Sequence, residues 1–495
     1  MNWKIIGKSL THPDMRKRIL AVLGILLVFR ILAHIPVPLA NPETLHQVLQ
    51  NLFNSSNTPQ LLSVVNVLSG GALANFSIMI AGMGPYINAS IIMQLLTKAV
   101  PQLEALHKEG EFGQKKINQY TRILTFPLAI IQSIGSIYLI RQAAQSIGGI
   151  GDITANATLG QWVLMVSALT GGSMLLMWLG ELITEQSIGN GISLIITVGI
   201  VSRLPANIGE IISSVTEKGH HWVVFGHSLP VNRSAVIYSI GILLSVLVVT
   251  WLVVMLNEAA RNLTVNYAKR VQGNRTYGGI TTLLPVKLIT AGVVPIIFAV
   301  AFLSVPSFVG QLLAGGHNEG LAKLGTNLVT WFQTPSAQTF ATEGLKAYIY
   351  PITYFLLVFV FTFFYTSITF NSKEIAENLH KQGGFIEGVR GGEQTEKYLA
   401  KTVNRLTLFG ALSLGLLALL PIIAQIFISS TSITIGGTSV LILVSVALQT
   451  LRAVESRALM VTYDQYSQPD FFHDSEDSGA KTSSRRRFLR KRRNS

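Results

Sequence analysis

The 495-residue sequence contains no cysteine. Disulfides, thiolate metal sites and cysteine nucleophiles are therefore excluded, and the absence fits a reducing compartment. Charge is scarce as well. Asp, Glu, Lys and Arg make up 13% of the chain, against about 25% in an ordinary soluble domain. Enzyme signatures are missing: there is no HExxH, no GxSxG and no Walker A motif. The glycines of "GGIGDI" at 148–153 follow no strand pattern and do not make a dinucleotide loop. The long apolar runs hold almost no Asp, Glu or His, which removes the intramembrane groups on which coupled transporters rely. Glu181, Glu185 and Glu258 stand at the ends of runs, not inside them. The chain reads as a non-enzyme with no cofactor and no metal.

What is present is apolar sequence in long blocks. Val236–Leu256, Tyr350–Phe370 and Leu406–Ile428 each reach the length that a helix needs to cross a bilayer, about 20 residues. Strict two-residue alternation is absent, so a closed barrel is set aside. The pattern predicts an all-α polytopic membrane protein with ten spans, near 18–36, 75–97, 122–142, 159–181, 190–210, 234–257, 286–308, 347–370, 404–427 and 437–457. The first run shows no small-residue cleavage site and is expected to be retained as a span. Arg30 lies near its outer end, where snorkelling accounts for it, and His34 beside it reads as interfacial. A further apolar segment, roughly 61–73, is too short to cross.

Basic residues set the orientation. Of the 38 Lys and Arg residues, 31 fall on one side of this arrangement and six on the other, with Arg30 inside the first span. The positive-inside rule then places both ends in the cytoplasm. A division near residue 230 leaves five spans in each half, 18–230 and 231–460. An odd number per half inverts one half relative to the other, an architecture that recurs where a path runs between two repeats. No strong internal sequence repeat stands out, so the inversion rests on topology alone.

The outer loops at 36–60, 143–158, 211–233 and 310–345 are Gly-, Ser- and Asn-rich and look weakly structured. The inner loops 258–286 and 371–403 are basic, glycine-containing and too long for simple connectors. Such a loop is either a solvated charged face or a docking platform for a large acidic partner, one containing RNA included. The segment 1–17 is a basic flank. The tail 461–495 ends in "SSRRRFLRKRRNS" and is low in apolar residues, a composition that disfavours folding. Contact with anionic lipid, about 1 kcal/mol per basic residue near the surface, or with ribosomal RNA suits it.

Several long motifs carry a resemblance: "SGGALANFSIMIAGMGPYINASIIMQLL", "KKINQYTRILT", "MWLGELITEQSIGNGISLII", "VNYAKR", "TFFYTSITFNSKEIAENL", "GVRGGEQTEKYL" and "GGTSVLILV". In this order, from about residue 10 to 460, they make the chain similar to the SecY family of protein-conducting channels. The resemblance implies passage of unfolded, signal-bearing polypeptide and lateral release of transmembrane segments into lipid. It implies a pore ring at Met83, Ile87, Ile196, Ile297 and Ile442. Taken singly, each of these would pass for a core or lipid-facing side chain. Met83 departs toward a softer, more adaptable residue.

The same resemblance implies a plug near Leu61–Ala74, carried by Leu68, Ser69, Gly70, Gly71, Ala72 and Leu73, with Leu68 where an aromatic is common. It implies a lateral gate between spans 2 and 7 with Gln94, Gln132, Ile289 and Thr290. Ile289 stands where the family often has Asn, which predicts a more apolar gate. Gly82, Gly84 and Pro85 are expected to loosen a span-2 helix that starts at Phe76. Docking falls on Arg390, with Lys269 and Arg270 behind it, and Gly391 replaces the usual Pro, predicting a more flexible tip. The implied partners are SecE-like and SecG-like subunits, the SecA motor ATPase, the ribosome, preproteins and lipid.

Two other classes stay in view. A secondary small-solute transporter with inverted halves would suit a broken span 2, but it lacks intramembrane carboxylates. An intramembrane enzyme lacks paired catalytic groups.

Overall fold

The computed structural model describes residues 12–37, 77–146, 158–202, 204–205, 208–209, 221–224, 227–267, 270–272, 275–277, 279, 281–314, 319–332, 335, 340, 344–428 and 431–467. The expected plug, Leu68 to Leu73, and Lys269 lie outside these residues, as does most of the tail.

In chain order, the first half contains α1 (Pro13–Leu32), α2 (Gly84–Ala99), α3 (Pro101–Lys108), α4 (Glu111–Ser146), α5 (Leu159–Glu185) and α6 (Gly191–Val201). A hairpin follows, β1 (His221–Val224) and β2 (His227–Asn232), then α7 (Arg233–Glu258). Next come β3 (Ala260–Tyr267), β4 (Arg270–Gln272), β5 (Arg275–Tyr277) and β6 (Thr281–Lys287). The rest is α8 (Val294–Ala314), α9 (Glu319–Phe332), α10 (Ile349–Thr369), α11 (Ser372–Lys381), β7 (Gly384–Ile386), α12 (Glu393–Ile428) and α13 (Thr431–Ser467).

Each of the ten expected spans is overlapped by a helix: α1, α2, α4, α5, α6, α7, α8, α10, α12 and α13. Among the described residues, six stretches, in α5, α7, α8, α10, α12 and α13, are long and apolar enough to cross a bilayer. The fold is an all-α polytopic one, with five of the ten overlapping helices in each half. Local chemistry starts them where expected. Thr158 and Gln161 form a reciprocal capping box at α5. Asn190 caps α6 through the amides of Ile192 and Ser193.

Several boundaries depart from the expectation. Helix α6 is continuous to Val201, with further helical residues at 204–205 and 208–209, and the seventh helix begins at Val294 rather than 286, because β6 runs on to Lys287. The outer segments expected to be weakly structured hold the β1–β2 hairpin and α9, and α9 packs on α8 through Gly325 against Gly310.

The main core joins α1, α2, α5, α6, α8, α10, α12 and α13. Outside it, α1 exposes Leu20, Leu23, Leu27 and Ile31, and α7 exposes Leu243, Leu244, Leu247 and Trp251. In a membrane such faces meet lipid rather than water.

A second, smaller core lies apart from the first. β3 is the centre of an antiparallel sheet, pairing with β6 along its length and with β7 at Val265–Tyr267. Leu263 and Val265 are buried, Thr264 between them is not, and the period of two follows from the pleat. Pro285 sits on the edge strand β6, where its missing amide is tolerated. Leu379 and Ala376 of α11 and Leu399 and Val403 of α12 close this core. The two long inner loops therefore form one folded body, which we call the platform.

Candidate functional site

Ser77 to Met83 forms no helix, yet its polar groups are satisfied. The Ile78 amide donates to the Ile35 carbonyl (3.0 Å), and the Ser77 hydroxyl donates to the Leu32 carbonyl (2.9 Å). The Met79 amide donates to the Ser77 Oγ, and Ser173 of α5 donates to the Gly82 carbonyl (3.1 Å). Gly82 is left-handed at φ 59°, a conformation that glycine adopts without steric cost. Helix α2 starts only at Gly84, with Pro85 in its first turn, where a missing amide costs nothing. The expectation of a loosened helix starting at Phe76 is thus corrected: Pro85 begins the helix and does not interrupt it.

The same device recurs in the second half. The Leu288 amide donates to the Ala259 carbonyl (2.9 Å), Gly292 is left-handed at φ 61°, and α8 starts at Val294 followed by Pro295. The two stretches read "AGMGPYI" from Ala81 and "AGVVPII" from Ala291. This is a short internal repeat, with four of seven residues identical, in a chain without a strong one. Ile78 and Leu288 hold equivalent places in it. A Cβ at Gly172 would lie 2.0 Å from the Ile78 carbonyl oxygen, and one at Gly410 would lie 2.5 Å from the Leu288 carbonyl oxygen. Each half admits this carbonyl through a glycine of its own fourth spanning helix, α5 or α12.

The repeat also brings Ile87 and Ile297 to equivalent positions. Met83, Ile87, Ile196, Ile297 and Ile442 all belong to the main core, and none is more than 6% exposed. Met83 immediately precedes α2 and the others lie on α2, α6, α8 and α13; among the described residues no charged side chain is buried with them. These five side chains are packed in the protein interior. The Met83 methyl lies 3.4 Å from where a Cβ would stand on Gly180, so the flexible thioether fills a gap beside a glycine.

The four expected gate residues are not gathered into one cluster. Gln132 of α4 lies over Gly84, its Nε2 2.7 Å from a Cβ there. Gln94 is ten residues further along α2, about 15 Å by helical rise, and donates to Ser90 (3.1 Å). Ile289 is buried in the main core, 3.6 Å from a Cβ position at Gly410. Thr290 is half-buried and donates to the Lys287 carbonyl.

On the platform, Arg390 is exposed in the turn between β7 and α12. Its carbonyl accepts from the buried Thr395 hydroxyl (2.8 Å). Gly388 and Gly392 carry the left-handed backbone of this turn, at φ 78° and 90°. The flexibility expected of Gly391 is not what its geometry shows. Gly391 has no left-handed φ, and a Cβ there would press on His380 Nδ1 at 3.1 Å. Arg270 opens β4, a short strand paired with β5.

The platform is rooted beside the main core. Arg452 of α13 pairs with Glu258 (2.5 Å) and donates to the Asn257 carbonyl (3.0 Å), while the Asn257 amide donates to Ser445. Lys287 stands nearby at the end of β6. Burial first, and then Arg452, hold its ammonium below the usual lysine range, with Glu258 opposing.

Residues 77–451 match the SecY family's sequence model. The chain is 40% identical over 465 residues to the protein translocase subunit SecY of Streptomyces galbus, covering 93% of this chain and 98% of that one. It is 37% identical over 462 residues to that of Mycobacterium bovis, covering 92% and 98%. Its fold is similar to a solved protein-conducting channel, with a TM-score of 0.58 at 19% identity over 87% of this chain and 91% of that one. It is similar, too, to Sec61 in a canine ribosome–channel complex, with a TM-score of 0.53 at 18% identity over the same shares. Ten spanning helices in two halves that repeat one buried device, together with this likeness along nearly the whole chain, place the protein in the SecY family.

Proposed function

We infer that this chain is the channel-forming subunit of a protein translocase, passing unfolded, signal-bearing polypeptides across the membrane and releasing transmembrane segments into lipid. One observation carries the reading. Apolar side chains from four helices in both halves meet in a single buried, uncharged cluster. An apolar constriction seals by excluding water, and without fixed charge it binds no one polypeptide sequence preferentially. Met83, Ile87, Ile196, Ile297 and Ile442 form this ring. The segment Leu68–Leu73 acts as the plug. The lateral gate lies between α2 and α8, with Gln94, Gln132, Ile289 and Thr290 along it.

In this reading both termini face the cytoplasm of a bacterial inner membrane, an orientation that the asymmetry of Lys and Arg supports. The platform, residues 258–286 and 371–403, then faces the cytoplasm. It docks the SecA motor or the ribosome through Arg390, seconded by Lys269 and Arg270, while SecE-like and SecG-like subunits complete the complex.

A photo-crosslinker at position 297 is expected to capture a stalled secretory chain, whereas one at the lipid-facing Leu247 captures none. Equal capture at both sites, or capture at 247 alone, overturns the ring. The buried Ile289 makes the gate apolar. Ile289→Asn is expected to let weakly hydrophobic signals through, measured by export of reporters with graded signal peptides. An unchanged threshold refutes the gate role of that position.

A further inference from the structure

Helix α4 packs against α2 and α5 and touches α8. It is thus the third element beside the proposed gate. Thr170 of α5 donates to its Ser133 (3.4 Å), and Phe308 of α8 packs on its Gly135. Two further contacts lie along it. One is Gln132 over Gly84. The other lies ten residues away, about 15 Å along the helix, where Arg122 Nε donates to Glu181 Oε1 (2.9 Å) and Arg122 Nη2 meets Glu181 Oε2 (2.6 Å). The first is a hydrogen bond and the second a close charge contact, since Glu181 Oε2 has no hydrogen-bond partner among the described residues; a charge-assisted hydrogen bond is stronger than a neutral one.

Its surroundings distinguish this pair from the exposed ones. The Lys108–Glu104 and Lys397–Glu393 pairs stand within single helices, and each of their side chains is at least 44% exposed. Arg122 is 46% exposed, like those side chains, but its partner Glu181 is only 16% exposed, and the pair ties two helices together. Glu181 also follows Gly180, the residue on which the Met83 methyl rests. The corner beneath it is fixed: the Thr184 hydroxyl donates to the Gly180 carbonyl (2.9 Å) and accepts from the Gly191 amide (3.0 Å). Arg18 of α1 donates to the Gln186 carbonyl (3.2 Å). The carboxylate therefore sits on a rigid corner next to the ring, and the guanidinium on the helix that flanks the gate. Tyr86 of α2 lies within electrostatic range of both charges.

We propose that Arg122 and Glu181 are positioning residues that set the signal threshold of the channel by pinning α4 to the α5–α6 corner in the closed arrangement. Opening between α2 and α8 displaces α4 and separates the pair. A signal sequence must then contribute enough binding to break it, and a weak signal cannot. Losing either partner leaves the other without its counter-ion, most severely the poorly exposed Glu181, and biases the channel toward opening.

The inference rests on the gate reading, and one set of variants separates the two. Arg122→Gln, Glu181→Gln, and the exchange of Arg122→Glu with Glu181→Arg are compared for export of two reporters, one with a full signal and one with a shortened apolar core. Channel abundance in the membrane is measured alongside. Each single variant is expected to raise export of the weak-signal reporter about tenfold, equivalent to about 1.4 kcal/mol, with full-signal export unchanged and the exchange returning toward the parent. Unchanged weak-signal export in abundant single variants overturns the proposal. So does an equal fall for both reporters, which marks a merely structural pair. If Ile289→Asn shifts the threshold while the pair variants do not, the gate reading stands and this inference fails. If neither shifts it, both fail. Arg122→Lys keeps the charge without the fork. It is expected to show an intermediate threshold, and it supplies the measurement should a glutamine variant not accumulate.

Discussion

Arg390→Glu is expected to abolish ATP-driven translocation of a preprotein while leaving the channel inserted and assembled. The side chain is exposed, so its replacement disturbs no packing, and surface changes of this kind usually alter stability by no more than about 0.5 kcal/mol. The turn that presents it is held by the Thr395 bond to the Arg390 carbonyl and by the left-handed glycines at 388 and 392. None of these depends on the guanidinium. The platform beneath has its own core of Leu263, Val265, Leu379, Ile386 and Leu399. What changes is charge at the apex. Losing a buried charge contact at an interface costs about 2–5 kcal/mol, roughly 30-fold to several thousandfold in affinity. Motor binding to reconstituted vesicles and ATP-dependent transport read the two halves of the result. Normal transport by the variant would sink the docking assignment.

The second large effect concerns the repeated device in the membrane. Gly172→Val and Gly410→Val are each expected to prevent accumulation of a stable channel. A Cβ at either site meets a backbone carbonyl oxygen at 2.0 or 2.5 Å, and a backbone atom, unlike the end of a flexible side chain, cannot swing aside. Overpacking typically costs about 1–3 kcal/mol even where side chains can move, and here Ser77–Met83 or Leu288–Val293 must shift bodily. Both segments lead straight into the helices that carry ring residues, so the damage reaches the constriction. Gly171→Val is the control, because a Cβ there meets nothing within 4 Å. Membrane abundance and the midpoint of thermal aggregation in detergent should separate the three variants. If Gly172→Val behaves like Gly171→Val, the close approach carries no weight in folding.

The two halves of the molecule were unequally legible. Ten apolar blocks and the bias of Lys and Arg were plain. The repeat around Ala81 and Ala291 was also present in the letters, but seven residues with three varied positions are hard to recognise without seeing that Gly82 and Gly292 share one backbone conformation. Pro85 illustrates the opposite difficulty. A proline inside an apolar run reads as a break, and only the hydrogen bonds of Ser77, Ile78 and Gly82 show that the helix had not yet started. Gly391 was likewise read as looseness, whereas it leaves room for the His380 ring.

The sequence by itself determined the number of spans and the scarcity of charge within them, and its bias of Lys and Arg is the basis on which their direction is proposed. These are one-dimensional properties, because a bilayer selects on run length and loops carry their charge locally. Only the tertiary structure decided what meets what. β3 pairs with β7 across an intervening stretch that includes four α-helices. Arg122 finds Glu181 on another helix. Two glycines on the fourth and ninth spanning helices each receive a carbonyl from an unwound segment. Such contacts depend on how closely helix axes approach, and that distance is set by missing side chains and satisfied main-chain groups, neither of which leaves a periodic signal along the chain.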